Sequence, residues 1–111
     1  HRDSISSLLG DKASDKDMLE IVSLENQVSD MTPPMFIWHT YDDNCVPVEN
    51  SLLMAMSLKK HNIPLEMHIY PQGSHGLALC SRVTASDSAT HSINPYCEGW
   101  IDLAIKWVNS F

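Results

Sequence analysis

Glycine is scarce in this chain, with four residues in 111, and so is positive charge, with seven Lys and Arg against fourteen Asp and Glu. The net charge is -7, and among the scattered basic residues only Lys59 and Lys60 adjoin. That argues against a nucleic-acid partner, which needs clustered cations. No apolar run comes near the roughly 20 residues that cross a bilayer. No basic-then-apolar leader opens the chain, so no membrane partner is expected. A leader on a longer precursor would lie ahead of His1. The cysteines, Cys45, Cys80 and Cys97, are three and show no CxxC spacing. An odd, sparse set points to reduced thiols in a reducing, cytoplasmic compartment, with one disulfide as the alternative. Ligand spacing for a metal is also missing: His39, His68 and His75 show no helical i,i+4 pairing. No metal or cofactor is expected. The opening His1-Arg2-Asp3 has no Met, which reads as a piece cut from a longer polypeptide or as a processed terminus.

What remains is a globular composition, 43% apolar and 19% charged, of a length for one small domain. Residues 4–9 suit a short helix stopped by Gly10. Ser14 and Asp17 have the spacing of a capping box that opens a helix carrying Met18, Leu19, Ile21 and Val22 inward. Residues 23–32 read as a connecting loop. Residues 35–39 form a near-continuous apolar run after Pro33 and Pro34, the pattern of a strand covered on both faces. Pro47 suits the first turn of a helix. Leu52, Leu53, Met54, Ala55, Met56 and Leu58 predict that this helix is well buried, with Met54 and Met56 as core filler. Lys59, Lys60 and His61 favour its C-terminal dipole, and Asn62 and Pro64 end it. Residues 65–70 alternate as a second strand. Strand, helix, strand is a βαβ unit, so the two strands should be parallel. Residues 80–94 read as a loop or short insertion. A last helix is predicted from about Pro95, with Trp100, Leu103, Ala104, Trp107, Val108 and Phe111 on one face.

The candidate chemistry sits at the ends of the two strands, where open α/β sheets collect their ligands. The first strand runs into Asp42-Asp43-Asn44, and the second into Pro71-Gln72-Gly73-Ser74-His75-Gly76. An Asp after one strand and a His after the next offer a carboxylate that orients an imidazole, and an imidazole that moves a proton. Gly73 and Gly76 permit a tight loop around the ring. Read from spacing alone, the same residues also fit an Asp43 that caps a turn and a surface-loop His75. Cys45 beside the acid has no base presented to it and reads as a small buried residue. His39 reads as a buried strand residue, and Trp100 and Trp107 as packing.

A longer pattern adds to this. The stretch from His39 through Tyr41-Asp42-Asp43-Asn44-Cys45-Val46-Pro47 resembles the His-Gly-x-x-Asp-x-x-Val-Pro acid loop of α/β-hydrolase esterases and prolyl-oligopeptidase-like peptidases. Residues 70–76 resemble their His loop, and residues 100–111 their terminal helix. The likeness is strongest to the esterase/lipase group with acetyl-xylan-esterase-like and kynurenine-formamidase-like enzymes. Thr40 stands where the pattern has Gly, a departure also found in the esterase branch. Counted from His39, the resemblance assigns the acid to Asp43 and leaves Asp42 as a solvent-facing neighbour, with His75 as the base.

The nucleophile elbow of that family, Gly-x-Ser-x-Gly, is absent from the sequence, as is its oxyanion loop. The resemblance therefore implies an α/β fold of a particular kind: the C-terminal part of an α/β-hydrolase, residues 1–111, with two parallel strands and flanking helices. It implies the Asp and His of a Ser-His-Asp ester hydrolase for a small ester substrate. The nucleophile would lie outside these residues, and the segment alone should be silent. An unpaired apolar edge at residues 35–38 would invite self-association. The alternatives are a non-catalytic module of the same descent and the terminal segment of a prolyl-oligopeptidase-like peptidase.

Overall fold

The computed structural model describes residues 2–85 and 92–111. In chain order its elements are α1 (Arg2–Leu9), α2 (Lys16–Val22), β1 (Met35–Thr40), α3 (Glu49–Lys60), β2 (Leu65–Tyr70) and α4 (Trp100–Val108). Single 3-10 turns follow α1 and α2. The centre is the parallel pair β1 and β2, in unbroken register from Met35 opposite Leu65 to Thr40 opposite Tyr70. Parallel neighbours need a crossover, and α3 supplies it.

Alternation along the strands sends successive side chains to opposite faces. On the α4 side Trp38 stacks on Trp100 with ring centroids 5.1 Å apart, and Phe36 lies 6.0 Å from Trp107. These rings pack as the sequence suggests, and each such pair is worth about 1 kcal/mol beyond its buried area. On the α3 side His39 reaches Ser51. Leu58 of α3 is 0% exposed, and its burial stabilises by about 2 kcal/mol. A second buried knot, Leu77, Cys80 and Cys97, lies under Trp38, Tyr70 and Trp100. It ties the segment after β2 to the approach to α4.

Several details differ from the sequence reading. Asp15, not Ser14, caps α2: its Oδ1 accepts from the amides of Asp17 and Met18 at 2.9 and 3.2 Å. Asp15 has the extended backbone of an N-cap, so its carboxylate reaches the unpaired amides of the first turn. Helix α3 begins at Glu49 rather than Pro47, whose carbonyl accepts from Asn50 instead. Its end follows the expected chemistry. Asn62 takes a left-handed φ of 54° and Ile63 N–H returns to the Leu58 carbonyl, a Schellman closure.

Helix α3 is not the well-buried helix its composition suggests. Leu52 and Leu53 are exposed and Met56 is 71% exposed, so Met56 is no core filler. The helix presents to the sheet only the stripe around Leu58, and two strands cover no more than that. Likewise β1 is half-buried rather than covered on both faces. Cys45 is exposed, because the backbone of its loop turns inward to Asp43 and sends the thiol out. None of the three cysteines, all among the described residues, forms a disulfide. Helix α4 starts at Trp100, later than Pro95, because Asn94 first gathers the amides of Tyr96, Cys97 and Glu98 into turns. Its far end is open to solvent at Val108 and Phe111. Of the loop expected over residues 80–94, residues 86–91 lie outside the described residues. Among the described residues no helix is long and apolar enough to cross a membrane.

Candidate active site

The carboxyl ends of β1 and β2 place two loops side by side. The acid loop turns directly after Thr40 and sends Asp43 back over the strand end, with its side chain 6% exposed. Its Oδ1 accepts from the amides of Cys45 and Val46, both at 2.9 Å. Its Oδ2 lies 2.9 Å from His75 Nδ1. Sequence-distant Asp43 and His75 are thus a hydrogen-bonded pair. A carboxylate only accepts, so the proton of this bond sits on Nδ1, and in the neutral ring Nε2 offers its lone pair. Burial by itself would push the Asp43 carboxyl up. The Val46 amide, the His75 ring, the Cys45 amide and the charge of His75 outweigh it, and the group lies below the ordinary carboxylate value.

The acid loop is held from beneath by His39. Its Nδ1 lies 2.7 Å from the Ser51 hydroxyl and its Nε2 lies 2.9 Å from the Val46 carbonyl. The carbonyl accepts, so Nε2 carries the proton, and in the neutral ring Nδ1 accepts from the Ser51 hydroxyl. The same Nε2 is 3.5 Å from Asp43 Oδ2. His39 is therefore a brace between strand, loop and helix.

His75 is 53% exposed at its side chain and opens onto a cavity of about 230 Å³ shared with Trp38, Val46, Ser74, Leu77 and Ala78. Gly76 next to it has φ 75°, a left-handed turn that suits glycine. Two residues take roles the sequence does not disclose. Asp42 is not merely solvent-facing: its Oδ1 accepts from the Gly73 amide at 2.7 Å. Thr40 donates its hydroxyl to the Gly73 carbonyl at 2.7 Å. The available hint is that Thr40 replaces a Gly of the motif while Gly73 stands in the opposite loop. His68 points elsewhere and bonds Glu66 Oε1 at 2.8 Å. Among the described residues no three His, Cys, Asp or Glu side chains gather as a metal site.

The Cys80 thiol is pushed up to about 12, by burial first and then by the neighbouring Cys97 and the charge of Glu98. It is an inert core group rather than a nucleophile.

Parallel strands crossed by a helix, with helices on both faces and Asp and His loops at their carboxyl ends, are the architecture of an α/β-hydrolase. The prolyl oligopeptidase family matches residues 8–102, and the chain belongs to that family. It is 47% identical over 81 residues to endo-1,4-beta-xylanase B of Butyrivibrio fibrisolvens, matching 73% of this chain and 13% of that protein. It is similar to the acetyl ester-xyloside bifunctional hydrolase of Caldicellulosiruptor lactoaceticus, with 47% identity and a TM-score of 0.74 over 86% of this chain and 31% of the other. A carboxylesterase of Lactobacillus plantarum WCFS1 gives 30% identity and a TM-score of 0.75 over 78% of this chain and 31% of the other. The chain thus spans about an eighth of the first relative and under a third of the two solved structures. The resemblance seen in the motifs is a family membership, and these relatives are hydrolases.

Proposed function

We propose that residues 1–111 are the C-terminal segment of one α/β-hydrolase domain and carry the acid and base of a serine carboxylic ester hydrolase. The substrate class is a small acyl ester, with an acetylated carbohydrate as the favoured case. The single observation that carries this reading is the 2.9 Å contact between Asp43 Oδ2 and His75 Nδ1 at the strand ends. The relatives named as an acetyl ester-xyloside hydrolase and a carboxylesterase support the substrate class.

In this mechanism Asp43 holds the His75 ring and stabilises it when it is charged. Nε2 of His75 takes the proton from a serine hydroxyl as that oxygen attacks the ester carbonyl. It then returns the proton to the leaving alcohol, and in a second round activates water to release the acid. The serine, in a Gly-x-Ser-x-Gly turn, and the oxyanion donors, from that turn and a separate loop, come from residues outside this sequence.

The test is hydrolysis of p-nitrophenyl acetate by the full-length polypeptide. H75A is expected to lower kcat by about 10⁶-fold and D43N by about 10⁴-fold. Turnover that survives both substitutions sinks the reading. The 111-residue chain alone is expected to show no hydrolysis above that of the double variant. A prolyl p-nitroanilide run in parallel separates the peptidase alternative: the expected result is cleavage of the ester and not of the anilide.

A further inference from the structure

An imidazole that is half exposed and has one side-chain partner takes its position from its backbone. Among the described residues the side-chain partner of His75 is Asp43 alone. The backbone that carries His75 is gripped two residues earlier, at Gly73. Asp42 Oδ1 accepts the Gly73 N–H and Thr40 Oγ1 donates to the Gly73 C=O, each at 2.7 Å. Both polar groups of one residue in the His loop are therefore taken by side chains of the strand end and acid loop. A carbonyl only accepts, so the direction of the Thr40 bond is fixed. Thr40 is 3% exposed, and without this bond its hydroxyl would be a buried polar group in want of a partner.

The grip is also steric. A Cβ at position 73 would lie 2.6 Å from Thr40 Cγ2 and 2.7 Å from Leu77 Cδ1. Gly73 thus lets the two loops approach closely, and any larger residue there would force the Thr40 and Leu77 side chains to shift. One residue earlier, Asn94 Nδ2 donates to the Gln72 carbonyl at 2.7 Å, which anchors the loop from the α4 side.

We propose that Asp42 and Thr40 are positioning residues for the acid–base pair. They clasp Gly73, and through it set where the His75 ring stands over Asp43. Consecutive carboxylates then have separate roles, in which Asp42 holds the backbone of the His loop and Asp43 holds the ring. The proposal rests on the reading of Asp43 and His75 given above. Neither Asp42 nor Thr40 touches the reacting atoms.

The experiment uses the full-length polypeptide, with kcat for p-nitrophenyl acetate normalised to the folded fraction by circular dichroism. D42A is expected to lower kcat about tenfold with KM little changed, since small misplacements of a base carry costs up to ~10²-fold. D42N keeps an oxygen that accepts the Gly73 amide and retains most of kcat. T40V is expected to lose about fivefold and T40S to recover it, by the same loss and return of one hydrogen bond. In an H75A background D42A should cost nothing further, because the ring it positions is gone. The downfield proton resonance of His75 Nδ1–H should broaden in D42A and persist in D42N.

Outcomes separate cleanly. If D43N abolishes turnover while D42A and T40V stay within twofold of wild type per folded molecule, the clasp is overturned and the acid–base reading stands. If D43N has no effect, the reading itself fails. A fall in thermal stability without a fall in kcat assigns Asp42 to folding alone and also overturns the clasp. Should D42A fail to fold, T40V and T40S decide the same question.

Discussion

Two regions of this molecule are finished to different degrees. At the carboxyl ends of β1 and β2, the polar groups that shape the two loops find partners within the chain. Asp43 accepts two amides and a ring nitrogen, Asp42 and Thr40 take both groups of Gly73, and His39 links Val46 to Ser51. On the flanks the opposite holds. Leu52, Leu53 and Met56 of α3 face outward, as do Ile105 and Val108 of α4, and among the described residues β1 pairs with β2 alone. Directional hydrogen bonds between neighbouring loops can be completed locally. Burial of wide apolar faces cannot, because it needs a further layer of structure. The site corner is thus specified by this segment, whereas the outer apolar faces have no covering layer among the described residues.

The largest expected effect separates thiols of the two regions. With an Ellman-type disulfide reagent at mild alkaline pH, Cys45 should react at least ~10²-fold faster than Cys80, which burial keeps protonated. Equal rates would mean that the knot under Trp38 opens readily. Next comes a contrast along one helix. L58A is expected to destabilise by about 3 kcal/mol, as a fully buried leucine, and M56A by less than about 0.5 kcal/mol, as an exposed residue. Urea unfolding midpoints of the 111-residue chain read both. In the full-length polypeptide the M56A cost should rise if the outer face of α3 is covered there, and that rise would turn the comparison into a map of the added contacts. The chain alone should also self-associate through the open edge of β1, so light scattering that gives a clean monomer at high concentration breaks the contrast on that side.

A smaller effect probes the site corner itself. The Asp43 carboxyl lies below its ordinary value in the folded chain. Its contribution to stability is therefore full above the unfolded carboxyl pKa of about 3.9 and is lost as pH falls through the lower folded value. Urea midpoints followed downward from about pH 5 should fall for the wild type, and D43N should remove that part of the fall. An unchanged slope in D43N would place the acid sensitivity elsewhere.

The legible and illegible parts of the sequence divide along the same line. Parallel β1 and β2, the α3 crossover and the stop at Asn62 are readable because period, dipole and turn chemistry are local. The meeting of Asp43 and His75 is readable because two parallel neighbours bring their carboxyl ends together. The first residues of α2, α3 and α4 are not, because Asp15 rather than Ser14 takes the opening amides of α2, while Pro47 and Asn94 draw the amides that follow them into turns before α3 and α4 begin, and backbone angles decide these outcomes. The exposure of Met56 and Cys45 escapes a reading by residue type, because side-chain chemistry does not say how much structure is available to cover a face. Asp42 reads as a bystander because its partner, Gly73, stands 31 residues away.

Composition and period were enough to determine a βαβ unit with parallel strands, and the resemblance of its two loops to a family pattern singled out Asp43 and His75 as the acid and base candidates. These depend on interactions along the chain and on the fixed geometry of neighbouring strands. Tertiary structure alone decided that Asp42 grips the His loop, what His39 braces, and which apolar residues stay uncovered. Those outcomes depend on approach distances of a few ångströms between segments far apart in sequence, and no local pattern encodes them.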